Sequence, residues 1–294
     1  MKLEHTLNKK FKIFPGTIKT YIVDKNDYNL KHFIICGSKI KQLFVNTFLG
    51  TVLKKFTIFI LKNVEFGLVY KLEELRKVDN FLEKKFPDFS VVAVTPKPNW
   101  EKECIYIVIC FNKEYYFVKI INNSSVLMEE FSTELENLKN LDNTESIHFP
   151  KLVLEFETTN LKISVTKFVF GKYAKLSNKN IMDLGLALRN LKMEKYIVND
   201  KYFSHCDLAP WNYKLCNSKI VILDLGSTNY KHENYDKYFY YVLDFNFKKS
   251  FIKSLEQIPK NLHDELFLDI NKRLSGDDKL KEKAIQRLKL IKSI

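Results

Sequence analysis

Residues 202–230, YFSHCDLAPWNYKLCNSKIVILDLGSTNY, hold the side chains best suited to chemistry in this chain. Asp207 is followed five residues on by Asn212, and Asp224 closes the apolar run KIVIL. The pieces YKLC (213–216) and KIVILD (219–224) flank Asn-Ser and read as a tight hairpin. A hairpin brings its outer ends together. That would set Asn212 beside Asp224, with Asp207 reaching in from the preceding loop. Two carboxylates and an amide make a hard oxygen site. Such a site suits Mg²⁺, which takes one or two protein carboxylates and shares its other positions with water and phosphate. Asp and Asn are also ordinary turn formers, so a surface turn between two strands remains the plain alternative.

The elements that must position these residues follow from periodicity. KFKIF, TIKTYIV and HFIIC read as strands, and VYKLEELRKVDNFLEKKF as a helix with Leu72, Leu75, Val78 and Leu82 on one face and Pro87 as its stop. FSVVAVT, ECIYIVICF and EYYFVKII read as strands, followed by the helix VLMEEFSTELENLKNL and two more strands, KLVLEFETT and KISVTKFVF. Gly171 breaks the chain, and NIMDLGLALRNLKMEK then places Ile181, Leu184, Leu188 and Leu191 on one helical face. A strand-rich block precedes a helix-rich one, which indicates an α+β protein with two lobes.

Lys119 stands inside the apolar strand YYFVKI. A lysine there must snorkel or find a partner, because burying it unpaired is costly. The next helix has an apolar stripe of Phe131, Leu135, Leu138 and Leu141, with Glu134 inside the stripe and Glu129 and Glu136 facing away. Lys119 and Glu134 therefore satisfy each other, with Glu130 at the stripe's border as the other available partner. The alternative is an edge strand with Lys119 turned to solvent.

The chain has 294 residues, 46% hydrophobic and 14% aromatic, which excludes a disordered protein. The start MKLEHTLNKKFKIF lacks the apolar core of a secretory signal, and runs such as 56–61 are too short to span a bilayer. The five cysteines are odd in number and show no CxxC spacing, so neither a zinc site nor a disulfide framework is indicated. A reducing, cytoplasmic setting is expected. The net charge of +13 is concentrated at the ends, with +9 in residues 1–87 and +5 in residues 271–294. Such an excess suits an anionic partner: nucleic acid, an anionic membrane surface or a phosphorylated substrate.

HCDLAPWN followed by ILDLG resembles the catalytic and metal-binding loops of the aminoglycoside phosphotransferase and choline kinase family, the small-molecule branch of the protein-kinase-like fold. The resemblance covers roughly residues 89–250. It implies a strand-rich N-lobe over 88–171 and a helical C-lobe over 172–294, with residues 1–87 as an additional small α+β segment. It implies that Asp207 is the base or positioner for a substrate hydroxyl, and that Asn212 and Asp224 hold the Mg²⁺ ions that bridge the phosphates of ATP. His205 matches the histidine that props the loop. Lys119 and Glu134 match the strand lysine and helix glutamate, and TKFVFGKYAKL matches the hinge, with adenine against the backbone near Lys167 to Val169. ATP is the donor implied, with GTP not distinguished.

Two departures stand out. Cys206 occupies a position where the family usually has glycine. No two glycines are spaced G-x-G and no Walker A motif is present, so the phosphate-covering loop would be VTPKPNWEKE, residues 94–103. The acceptor would be a small molecule, a glycan or a lipid-linked sugar. The tyrosine-rich stretch 229–247, with Glu233, Asp236 and Asp244, would hold a quaternary ammonium by cation–π contacts or simply form a helix with an aromatic core face. Leu280, Ala284, Leu288 and Ile291 would lie on an anionic membrane or cap the C-lobe. The competing classes are a catalytically inactive pseudokinase scaffold and a basic nucleic-acid-binding protein.

Overall fold

A computed structural model describes residues 10–14, 20–22, 63–65, 72–96, 104–173, 197–198, 201–207, 212–217, 219–232, 235–243, 259–273 and 278–290. The strand expected at HFIIC and the helix of Ile181 to Leu191 lie outside these residues, as do 97–103 of the expected phosphate loop. The fold is α+β, and it divides into two units. The first comprises residues 1–174 and 213–226, the second 175–212 and 227–294.

The first unit is built on an eight-stranded antiparallel sheet. Its strands are β1 (Lys10–Phe14), β2 (Thr20–Ile22), β3 (Asn63–Glu65), β4 (Ser90–Pro96), β5 (Cys104–Phe111), β6 (Glu114–Asn122), β8 (Leu152–Glu157) and β9 (Leu161–Lys167). Their order is β3-β1-β2-β4-β5-β6-β9-β8. β2 pairs with β4 through Tyr21↔Val94 and Ile22↔Ala93, so the strands from residues 1–87 continue this sheet. Helix α1 (Leu72–Lys85) follows the expected 3–4 spacing. Its Leu75, Val78 and Leu82 are buried against Ile105, Ile107, Ile109, Val118, Ile120, Ile163 and Val165. Side chains alternate along a strand. The odd positions of β5 and the even positions of β6 are therefore spent on the α1 core. The other face carries Cys104, Ile121 and Lys119, and there helix α2 (Met128–Asn140) contributes its one fully buried side chain, Phe131.

A second sheet in this unit has the order β10-β13-β14-β7, formed by Lys172–Tyr173, Tyr213–Cys216, Lys219–Ile222 and Ile147–His148. The expected hairpin is present, with register Tyr213↔Ile222 through Cys216↔Lys219. Asn217 takes φ 47°, the left-handed backbone that a two-residue hairpin turn demands.

The second unit contains a three-stranded antiparallel sheet of β11 (Ile197–Val198), β12 (Lys201–Ser204) and β15 (Asn229–Lys231). It also contains helices α3 (Tyr235–Leu243), α4 (Lys260–Arg273) and α5 (Asp278–Leu290). Tyr235, Phe239, Val242, Leu262, Leu266, Ile270, Ala284 and Leu288 form one buried cluster. The apolar stripe of α5 is thus spent inside the unit at Ala284 and Leu288. Arg287 donates to the Val242 carbonyl at 3.0 Å, placing a cation on a carbonyl at the C-terminal end of α3. No helix of the described residues is long and apolar enough to cross a membrane.

Candidate functional site

Lys119 lies on an interior strand, paired with Tyr106 of β5 on one side and Ser164 of β9 on the other. An edge position is therefore excluded, and its alternation register directs it to the α2 face. There the ammonium meets Glu134 Oε2 at 2.5 Å, with the two side chains only 6% and 14% exposed. The rings of Tyr106 and Phe131 lie 5.8 and 5.6 Å from the Lys119 nitrogen. Burial pulls this ammonium toward its neutral form. The negative charge of Glu134, joined by that of Asp224, outweighs the burial and holds Lys119 well above the ordinary lysine range. Burial also pushes the Tyr106 hydroxyl well up, so it stays protonated beside the pair.

Asp224 follows the hairpin at φ 55°, a left-handed conformation that Asp tolerates better than most residues. It leads into a short 3₁₀ turn, Leu225–Ser227. Gly226 is required there: a Cβ would come within 2.7 Å of the Glu130 carbonyl oxygen. Asn137 of α2 donates to the Leu225 carbonyl at 3.2 Å. The helix that supplies Glu134 therefore also grips the turn that follows Asp224. Glu130, the alternative partner for Lys119, is where the turn meets the helix backbone.

The segment after β9 has its backbone largely committed. The Lys167 and Phe168 amides donate to Lys151 and Tyr115 carbonyls, both at 2.9 Å. Lys214 Nζ donates to the Val169 carbonyl at 2.8 Å and lies 4.7 Å from the centre of the Phe168 ring. The Cys216 thiol donates to the Phe170 carbonyl. Lys214 is only 3% exposed, and that burial pushes it down to about 8. Gly171 permits the close approach of β13, since a Cβ there would meet the Leu215 carbonyl oxygen at 2.8 Å.

The second unit holds the loop of His205, Cys206 and Asp207. The amides of His205 and Cys206 both donate to the Asp236 carboxylate at 2.7 Å. The Asp207 amide donates to His205 Nδ1 at 3.2 Å, which leaves the imidazole proton on Nε2. Asn212 is buried, and its amide nitrogen donates to the Asp207 carbonyl at 2.8 Å and to Asp207 Oδ2 at 3.1 Å. Cys206 takes φ 61° and is buried, with its thiol on the Ser204 carbonyl. A left-handed position is where glycine is cheapest, so a cysteine here carries a backbone cost.

Lys119, Glu134 and Asp224 are thus gathered in the first unit, with Val169 at the segment beyond β9, and Asp207 touches Asn212 in the second. Sequence reasoning missed the roles of Lys214, Asn137, Gly226 and Asp236. Asp236, weighed as part of a cation-binding aromatic patch, instead spends its carboxylate on the loop amides. Glu233 and Asp244 lie outside the described residues. Among the described residues, no three His, Cys, Asp or Glu side chains gather into a metal cluster.

No family model matches the chain, and no curated protein matches it. Solved structures do resemble it. Aminoglycoside phosphotransferase APH(2'')-IIa, in a ternary complex with streptomycin and ATP, is 15% identical with a TM-score of 0.46, over 78% of this chain and 100% of that one. Spectinomycin phosphotransferase APH(9)-Ia, in complex with ADP and spectinomycin, is 11% identical with a TM-score of 0.46, over 74% and 93%. The bifunctional kinase-methyltransferase WbdD is 14% identical with a TM-score of 0.37, over 64% and 43%.

Proposed function

We propose that this protein is a phosphotransferase that moves the γ-phosphoryl group of a Mg²⁺-bound nucleoside triphosphate, ATP by the resemblance, to an alcohol. The observation that carries the reading is the buried Lys119–Glu134 pair with Asp224 close enough to bias it. A fully charged lysine on a rigid interior strand suits a phosphate grip, and a partly exposed carboxylate nearby suits a phosphate-bound cation. By the resemblance, Asp224 of the first unit and Asn212 of the second are the metal ligands; each is a hard oxygen donor of the kind Mg²⁺ takes, and Mg²⁺ needs few protein ligands when phosphate supplies the rest. Mg²⁺ held by these residues would neutralise charge on the nucleotide's phosphates.

In this reading Lys119 holds the α- and β-phosphates, and Glu134 fixes the lysine in its rotamer. Asp207, oriented by Asn212 and His205, accepts the proton of the acceptor hydroxyl. The acceptor oxygen forms a bond to the γ-phosphorus as the bond from that phosphorus to the β–γ bridging oxygen breaks, and the nucleoside diphosphate leaves. The acceptor is a small molecule or a glycan or lipid-linked sugar. The lysine excess in residues 1–87 and 271–294 favours the last, at the inner face of an anionic membrane. The test is calorimetric titration of ATP and of GTP, with and without Mg²⁺, into the wild type and Asp224→Ala. The expected result is Mg²⁺-dependent binding weakened at least tenfold in the variant. Absence of binding by either nucleotide at millimolar concentration would turn the reading toward an inactive scaffold.

A further inference from the structure

The α2 face of the large sheet leaves hydrogen-bond donors over. An ammonium has three N–H bonds, and among the described residues the one hydrogen-bond acceptor of Lys119 is Glu134. Directly across on β5 stands Tyr106, on the same face by register. Its ring packs with Cys104, Ile121 and Phe131 and lies 5.8 Å from the Lys119 nitrogen. Its hydroxyl has no hydrogen-bond partner among the described residues, and the side chain is half-buried rather than sealed in. Packing alone would be served by a phenylalanine, as it is by Phe131 and Phe117 beside it. Burial keeps the hydroxyl protonated, and the charges of Lys119, Asp224 and Glu134 all reach it. It is therefore a neutral donor next to a cation with N–H bonds to spare, and it brings no charge that would repel an anion.

We propose that the Tyr106 hydroxyl donates to a phosphate oxygen of the nucleotide, beside the Lys119 ammonium, an assignment that rests on reading this site as a nucleotide site. Two unspent donors on one face call for an acceptor with several oxygens. A phosphate group is such an acceptor: separate oxygens take an ammonium and a hydroxyl at once, each at about 2.7–2.9 Å. The chain has no G-x-G spacing from which backbone amides could wrap phosphates, so a side chain rising from the sheet supplies a donor in their place.

Tyr106→Phe removes the oxygen and keeps the ring. Calorimetric titration compares the wild type and the variant with Mg²⁺-ATP and with Mg²⁺-tripolyphosphate, which carries the phosphates and no base. Thermal unfolding of both proteins without ligand is recorded alongside. The expected result is an ATP affinity about tenfold lower in the variant, the worth of one hydrogen bond to a charged partner. Tripolyphosphate affinity should fall by the same factor. The unfolding midpoint should stay where it is, because the free protein loses no hydrogen bond. An ATP affinity reduced by less than about threefold overturns the proposal. So does a variant that loses affinity and folding stability together, since the hydroxyl would then be a structural group. Tripolyphosphate affinity kept while that of ATP falls would put the hydroxyl on the nucleoside, and overturns the phosphate assignment. If the wild type binds neither ligand, the nucleotide reading itself fails and takes this inference with it. That outcome is distinct from a wild type and a variant that bind equally well, where the inference alone fails.

Discussion

Lys119 and Lys214 are both buried lysines of the first unit, and their surroundings drive them in opposite directions. Lys119 gains carboxylate partners, so its folded value rises above the ordinary 10.5. Its contribution to stability is complete below that value and is lost only as pH climbs through the higher folded one. The lysine's contribution should therefore be insensitive to pH up to the ordinary lysine value of 10.5. Removing one partner leaves a buried charge uncompensated, which costs about 3–5 kcal/mol, while replacing both with apolar residues recovers most of it. Chemical unfolding of Lys119→Met, Glu134→Leu and the double variant should show this non-additivity, and all three should lose nucleotide binding. Lys214 is the reverse case, pushed from 10.5 down to about 8 by burial. Below pH 8 the folded state holds a desolvated cation. The unfolded chain binds the proton more tightly between 8 and 10.5, so stability rises across that window, by about 3 kcal/mol. Lys214→Met should be about 1–3 kcal/mol more stable than the wild type at pH 7, net of its lost carbonyl bond. The alkaline rise should vanish from its pH–stability profile. A flat wild-type profile from pH 8 to 10.5 would contradict the assignment.

At the scale of elements, two loops are fastened by partners that carry no sequence pattern. The His205–Cys206 loop hangs on Asp236 of α3, and the Leu225–Ser227 turn lies on the backbone of α2. Asp236→Ala leaves two buried amides without their carboxylate and should cost about 2–4 kcal/mol, with turnover falling further than stability accounts for. Asp236→Asn, which keeps one acceptor oxygen, should recover part of both. Gly226→Ala forces a methyl against the Glu130 carbonyl, for a loss of about 1–3 kcal/mol in thermal or chemical unfolding. The hairpin, α1 and the Lys119–Glu134 pair were legible because each writes a period or a burial conflict into the sequence. Asp236 was not, because its partners are backbone amides, which every residue has. Lys214 could have been found. It stands among apolar neighbours in YKLC as Lys119 does in YYFVKI, and the same question about a partner applies. The partner, Val169, is a carbonyl 45 residues away, and nothing in spacing announces it.

For the whole molecule, the chain passes between its two units after residues 174, 212 and 226. A linear reading of composition sees strands before Gly171 and helices after it. It does not see that the hairpin 213–226 joins the earlier strands, because β13 pairs with β10 and β14 with β7 only through contacts remote in sequence. This division assigns the proposed phosphate contacts to one unit and the proposed proton acceptor to the other. Binding and turnover should therefore separate by mutation. Asp207→Ala removes a proton acceptor and no phosphate contact. It should bind Mg²⁺-nucleotide within about threefold of wild type, while turnover falls by about 10²–10⁴, the usual worth of a positioned base. Asp224→Ala should lose nucleotide affinity first. Titration and a coupled diphosphate-release assay on the same two variants read both quantities. Equal loss of affinity in the two would make Asp207 a ligand-binding residue, and the proton would then need another acceptor.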